Sequence, residues 1–143
     1  MREMLGVFLA LLLVFHHAAA VAVEVYEGAE SVVLPCPVHH RNRTYLSVVW
    51  RREDLNPPTV HYKEQRNDRK NNQNQQYRGR TLVSDPLQQQ GAASLTLIKP
   101  RVNDSGTYTC ILRSLGTELN RTEVQLLDQR SGHHCRYSSE VTA

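Results

Sequence analysis

The chain has 143 residues and a formal net charge of +3, which allows one domain of ordinary size plus ends. So small an excess favours solubility and names no partner. The arginines between Arg41 and Arg80 are scattered, with no dense basic block interleaved with aromatics, which argues against nucleic-acid binding.

Residues 1–22 read as a secretory signal peptide. Arg2 is a short basic start, Met4 to Phe15 is apolar, and Ala18-Ala19-Ala20 supplies small residues for cleavage after Ala20 or Ala22. The apolar run is shorter than the roughly 20 residues that span a bilayer. No second run of that kind follows, so the expectation is a mature chain without a transmembrane segment. In such an oxidising compartment two of the three cysteines should pair, and the third needs an explanation.

Val21 to Glu27 reads as a first strand and Gly28 as a turn. Ser31 to Val38 alternates, with Val32, Leu34, Cys36 and Val38 on one face; Pro35 and Pro37 on the other face predict irregular pairing or early termination. His39 to Thr44 is a polar loop. Leu46 to Glu53 is the next strand, with Val48 and Trp50 inward and Val49 and Arg51 outward. Asn56-Pro57-Pro58 is a turn, and Thr59 to Lys63 a further strand. Glu64 to Gln76 is polar throughout and reads as a solvated loop, with a recognition edge as the alternative. Tyr77 to Val83 and Ala93 to Ile98 are two more strands, the latter with Leu95 and Leu97 inward.

Asp104-Ser105-Gly106 is a turn that feeds a strand from Thr107 to Leu112, with Tyr108 and Cys110 on one face. A tyrosine two residues before a cysteine is the tyrosine-corner pattern: the ring packs inward and its hydroxyl bonds the preceding turn. Together with Cys36 and Trp50 it makes the Cys…Trp…Cys order of an immunoglobulin domain. The fold class is therefore all-β, an immunoglobulin V-type sandwich over residues 23–127 with one inter-sheet disulfide, Cys36–Cys110. The pairs that use Cys135 would leave one core cysteine unmatched beside Trp50. Core positions are Trp50, Tyr108 and Leu97. The strands in order are B, C, C′, D, E and F, and Arg121 to Leu127 is strand G, with Val124 and Leu126 inward. Arg80 and Asp104 are expected to form the salt bridge that closes the bottom of such a sandwich, the alternative being two unpaired surface charges. Residues 128–143 read as a polar, disordered tail. There Cys135 is a candidate for a disulfide between two copies.

No enzyme constellation emerges. His39-His40 and His133-His134-Cys135 hold metal-ligand types without the spacing of a zinc site, and no nucleophile is set beside a base. No metal or cofactor is expected. Asn42, Asn103 and Asn120 each begin a glycosylation sequon. Sugars at Asn42 and Asn120 would crowd the B–C and F–G loops, and the F–G loop is short, so binding is expected on the flat G-F-C-C′ face. Its outward residues are Arg51, Thr109, Ile111, Arg113 and Gln125, with Tyr62 added. An outward isoleucine flanked by arginines suits an apolar centre with a polar rim.

Five segments carry a family resemblance: Val33-Leu34-Pro35-Cys36, Val49-Trp50-Arg51-Arg52-Glu53-Asp54-Leu55, Val60-His61, Gln76-Tyr77-Arg78-Gly79-Arg80-Thr81 and Asp104 to Cys110. Together they resemble the variable-type domain of butyrophilins and myelin oligodendrocyte glycoprotein, within the wider family of costimulatory ligands. The likeness covers Val23 to Leu127. It implies a protein on the outer face of the plasma membrane that engages a receptor on T cells and tunes T-cell receptor signalling and cytokine production. The alternatives are a homophilic adhesion or structural module, with a homodimer, and a single-V-domain innate immune receptor. Relatives of this kind usually add a constant-type domain and a transmembrane helix, which these residues do not show. Strand G lacks the Phe-Gly-x-Gly motif of rearranging antigen receptors.

Overall fold

The computed structural model describes residues 21–39, 45–85 and 92–129. Nine strands form two sheets. They are β1 (Val21–Tyr26), β2 (Ser31–Leu34), β3 (Leu46–Arg51), β4 (Thr59–Glu64), β5 (Asn67–Arg69), β6 (Thr81–Val83), β7 (Leu95–Ile98), β8 (Gly106–Ser114) and β9 (Thr117–Gln129). The larger sheet runs β1-β9-β8-β3-β4-β5 and the smaller β2-β7-β6. Pairing is antiparallel except between β1 and β9. This is the immunoglobulin V-type sandwich, with β2 to β9 as strands B, C, C′, C″, D, E, F and G.

Alternation of apolar side chains builds the core. Leu34, Val48, Trp50, Leu95, Leu97, Tyr108, Leu112 and Val124 point between the sheets and are buried. The Trp50 indole N–H donates to the Ala93 carbonyl at 3.1 Å, so burying the ring strands no donor. Cys36 and Cys110 are bonded across the two sheets. Closing a loop of 74 residues constrains the unfolded chain by about 4 kcal/mol on the loop-entropy account.

The regular elements differ from the sequence reading in several places. β2 stops at Leu34 because Pro35 has no N–H to continue the ladder; beyond it Pro37 makes only an isolated bridge to Ala92. The polar run after β4 is not a loop throughout. Gln65 takes a positive φ of 55°, the chain reverses in two residues, and Asn67–Arg69 pairs back on β4 as an exposed edge strand. β8 and β9 are longer than expected because Leu115 and Gly116, both with φ > 0, join them in a two-residue hairpin. β9 runs on to Gln129, past Leu127, since it pairs in parallel with β1 over residues Val124 to Gln129, while β1 starts at Val21 as expected. Residues 1–20 and 130–143, with Cys135, lie outside the described residues, as do His40 and Asn42.

Asp128 sits at this extended end. It is buried, its N–H bonds Ser105 Oγ, and neither carboxylate oxygen has a hydrogen-bond partner. Burial raises its pKa above the ordinary carboxylate range, and the charges of Asp104 and Glu27 raise it further. A raised folded-state value means that its favourable contribution is full below the unfolded carboxylate pKa and is lost as pH rises through the folded one. Asp128→Asn should therefore raise the unfolding temperature at pH 7 by several degrees, corresponding to about 1 kcal/mol. Thermal scans of both proteins from pH 7 downward should converge as the carboxyl protonates. A constant difference across that range would count against the charge as the cause.

Candidate functional site

The outer face of the larger sheet is ordered by register, since directly paired residues share a face. Three rows cross β9, β8, β3 and β4. The first is Glu123–Thr109–Arg51–Thr59. The second is Arg121–Ile111–Val49–Tyr62, which Arg69 on β5 extends. The third is Glu118–Arg113–Ser47–Glu64. The middle row places apolar side chains in line and caps both ends with arginine.

The expected face residues do not share one environment. Arg51, Tyr62, Thr109 and Arg113 are half-buried, and Gln125 is exposed beside Thr107 at the far end of the sheet. Ile111 is a correction. It points outward but is only 3% exposed, and its ladder partner Val49 is 9% exposed. Neither belongs to the cluster between the sheets. Arg121 stands opposite Ile111 and Arg113 two residues on, and arginine stems can lie along apolar neighbours while their charged ends stay in water. The centre of the face is thus buried apolar surface with arginines at neighbouring positions.

Ion pairs ring this centre. Arg51 Nε lies 3.0 Å from Glu53 Oε1, at an angle that makes no hydrogen bond, so that buried N–H is unsatisfied. Arg69 Nε donates to Glu64 Oε2 at 3.1 Å, and Arg121 Nε to Glu118 Oε1 at 2.7 Å. The Tyr45 hydroxyl donates to Glu64. That bond and Arg69 hold Glu64 below the usual carboxylate range, and Arg121 does the same for Glu118. These pairs are exposed and contribute little stability each.

Behind the face lies a polar cluster that sequence reasoning missed. Arg52 is 4% exposed although charged. Its Nε and Nη2 donate to Asp54 at 3.1 and 2.6 Å, and its Nη1 to the Tyr77 hydroxyl at 2.7 Å and the Asn103 carbonyl at 3.0 Å. Its guanidinium also lies over the Tyr108 ring, 5.4 Å from the centroid. Burial alone would lower its pKa; the bonds to Asp54 and Tyr77 more than offset this and hold it charged. The Tyr108 hydroxyl donates to the Asp104 carbonyl, which makes the tyrosine corner. Its single proton is thereby used, so in the 2.8 Å contact between the two hydroxyls Tyr77 is the donor. Proton donation therefore runs from Arg52 through Tyr77 and Tyr108 to Asp104. A Cβ on Gly106 would meet the Arg52 guanidinium at 2.9 Å, which is why the turn carries glycine there. The inward turn of Arg52 was detectable, since it stands two residues after Trp50.

Arg80 and Asp104 close the same end. Arg80 Nη2 donates to Asp104 Oδ2 at 2.6 Å and Nη1 to Oδ1 at 3.3 Å. Asp104 is 1% exposed and also accepts the Arg101 N–H. The pair, the corner and the disulfide are structural and lie away from the outer face. Of the sequons, Asn103 is exposed, while Asn120 is half-buried with its amide donating to the Pro37 carbonyl. Among the described residues no cluster could hold a metal ion, and no helix is long and apolar enough to cross a membrane.

Comparison with known proteins agrees with this geometry. The model of the immunoglobulin V-set domain matches residues 19–127. Comparison with curated proteins finds no sequence match. Among solved structures, the human B7-H4 IgV-like domain is 23% identical with a TM-score of 0.63, over 78% of this chain and 93% of that one. Bovine butyrophilin is 19% identical with a TM-score of 0.63, over 79% of this chain and 52% of that one. The voltage-gated sodium channel β4 subunit, whose extracellular domains form parallel homodimers in cell–cell adhesion, is 18% identical with a TM-score of 0.58, over 78% of this chain and 92% of that one. At these identities the likeness is one of fold, shared by costimulatory, adhesion and receptor domains.

Proposed function

Because the chain belongs to the immunoglobulin V-set family, we propose that it is a cell-surface or secreted ligand that binds a receptor on T cells and regulates T-cell receptor signalling and cytokine production. The contact is made by the outer face of β9, β8, β3 and β4. One observation carries the reading: over the buried Ile111–Val49 pair, half-buried Tyr62 sits inside a ring of charged side chains, an aromatic centre with the polar rim of a protein interface. Likeness in fold to the B7-H4 domain and to butyrophilin supports it.

The test is leukocyte staining by the secreted chain displayed as a multimer, which raises avidity. T-cell staining lost in Arg51→Glu/Tyr62→Ala is the expected result. Ile111→Asp is unsuitable as a control, because a charge at so buried a position would unfold the sheet. A folded multimer that stains no leukocyte would remove the reading. The likeness to the sodium channel β4 subunit favours homophilic adhesion as the second reading, and concentration-dependent self-association without T-cell staining would select it.

Secretion and glycosylation belong to the same proposal. Cleavage after Ala20 would leave Val21, the first residue of β1, at the N terminus; cleavage after Ala22 would delete two rungs of the β1–β9 ladder. Intact mass after enzymatic deglycosylation reads both features. We expect a mass starting at Val21, with asparagine-to-aspartate conversion at Asn42 and Asn120. Asn103 is the poorer acceptor, since Asp104 and Ser105 of its sequon are held by Arg80 and Asp128. Zero occupancy at both Asn42 and Asn120 would remove the argument that glycans crowd the loop end.

A further inference from the structure

An open cleft of about 360 Å³ lies on the outer face, over Val49 and Tyr62. Three arginines line it, Arg51 on β3, Arg69 on β5 and Arg113 on β8, and no acidic residue does. The acids that balance two of them stand outside. Glu64 takes only Nε of Arg69, and Glu53 accepts from Arg51 Nη2 at 3.4 Å while leaving the buried Nε without a hydrogen bond. Arg113 makes no ion pair within 4 Å among the described residues, although the charge of its ladder partner Glu118 is near enough to interact with it. Three like charges around one hollow make it a favourable place for an anion.

We infer that this cleft receives an acidic side chain of a partner protein, held by Arg113 together with Arg51 and Arg69. The inference rests on the receptor-face reading and names the chemistry of that receptor. A planar guanidinium takes a carboxylate through two hydrogen bonds, which a lysine could not do. The base of the cleft favours a protein occupant over a free anion. Val49 and Tyr62 continue the apolar row, so the residue next to the partner's carboxylate finds an apolar seat.

The experiment is a titration of the full secreted chain, labelled with ¹⁵N-arginine and read by its side-chain Nε–H signals. The probes are N-acetyl-Glu-Leu-amide, its glutamine counterpart and 3′-sialyllactose. The acidic dipeptide should shift the signals of Arg51, Arg69 and Arg113 at millimolar concentration. Its affinity should exceed that of the glutamine dipeptide by about tenfold or more. Arg113→Gln should abolish the difference and Arg78→Gln, at an exposed site elsewhere, should keep it. No shift, or equal shifts with both dipeptides, overturns the inference. Shifts with sialyllactose alone also overturn it, by assigning the cleft to a glycan. Cell staining separates this failure from that of the parent reading. Staining lost in Arg51→Glu/Tyr62→Ala but unchanged in Arg113→Gln and Arg69→Gln retains the receptor face and discards the carboxylate. Absent staining with selective dipeptide shifts retains the carboxylate site and discards the T-cell receptor.

Discussion

Asp104→Ala is expected to lower stability by roughly 3–5 kcal/mol, the cost of leaving a buried charge uncompensated. Asp104 is the carboxylate that faces Arg80, whose side chain is only 11% exposed. It also accepts the Arg101 N–H, so its loss strands a backbone donor as well. Arg80 would keep its bonds to the Gln76 and Lys99 carbonyls, which hold the guanidinium in place without neutralising it. For a domain whose whole stability is of order 5–15 kcal/mol, the unfolding temperature should fall by about 15–30 °C. The double variant Arg80→Leu/Asp104→Leu should be appreciably more stable than Asp104→Ala, because no charge is then left buried. Denaturant melts of wild type, single and double variants check this. Additive losses would show that the two residues act independently.

The second large effect is at Arg52. Arg52→Ala removes a buried side chain that spans Asp54, Tyr77, Asn103 and the Tyr108 ring. The cavity and the lost cation–π contact together should cost about 2–4 kcal/mol. Arg52→Lys restores charge and some of the stem but lacks the planar fork, so it should recover only part of the loss. Asp54→Ala is the informative comparison. Its carboxylate is 60% exposed, and solvent screening keeps the cost of losing it well below that of losing the arginine. Asp54 is held below the ordinary carboxylate range by its bond to Arg52. Its contribution is therefore present above the unfolded carboxylate pKa and lost as pH falls through the folded value. Equal losses for Arg52→Ala and Asp54→Ala at pH 7 would place the stability in the ion pair rather than in the burial of the guanidinium.

Fold class was legible because it depends on short-range pattern. Alternation placed Trp50, Leu97 and Tyr108 inward, and a tyrosine two residues before a cysteine marked the corner. The disulfide pairing followed once the strands were placed. Tyr77 was not legible as a core residue. It stands in a polar stretch with no periodicity, and what buries it is a 3₁₀ turn that presents it to Arg52 and Tyr108, brought from distant segments. Asp128 was assigned to a tail because its local composition is polar; only pairing with β1 holds it in a strand.

By itself the sequence determined that this is a V-type sandwich, the core residues that alternate along its strands, and which side chains leave β3 and β8 on the outer face. Period-2 geometry dictates all of these from the local chain. Tertiary structure decided which outward side chains meet water. Ile111 alternates outward as expected, yet its exposure depends on Val49 and Arg121 on the neighbouring strands. The arginine cleft likewise exists only where β3, β5 and β8 come together. Burial and charge clustering sum over spatial neighbours, and those are set by register between strands that are far apart in the chain.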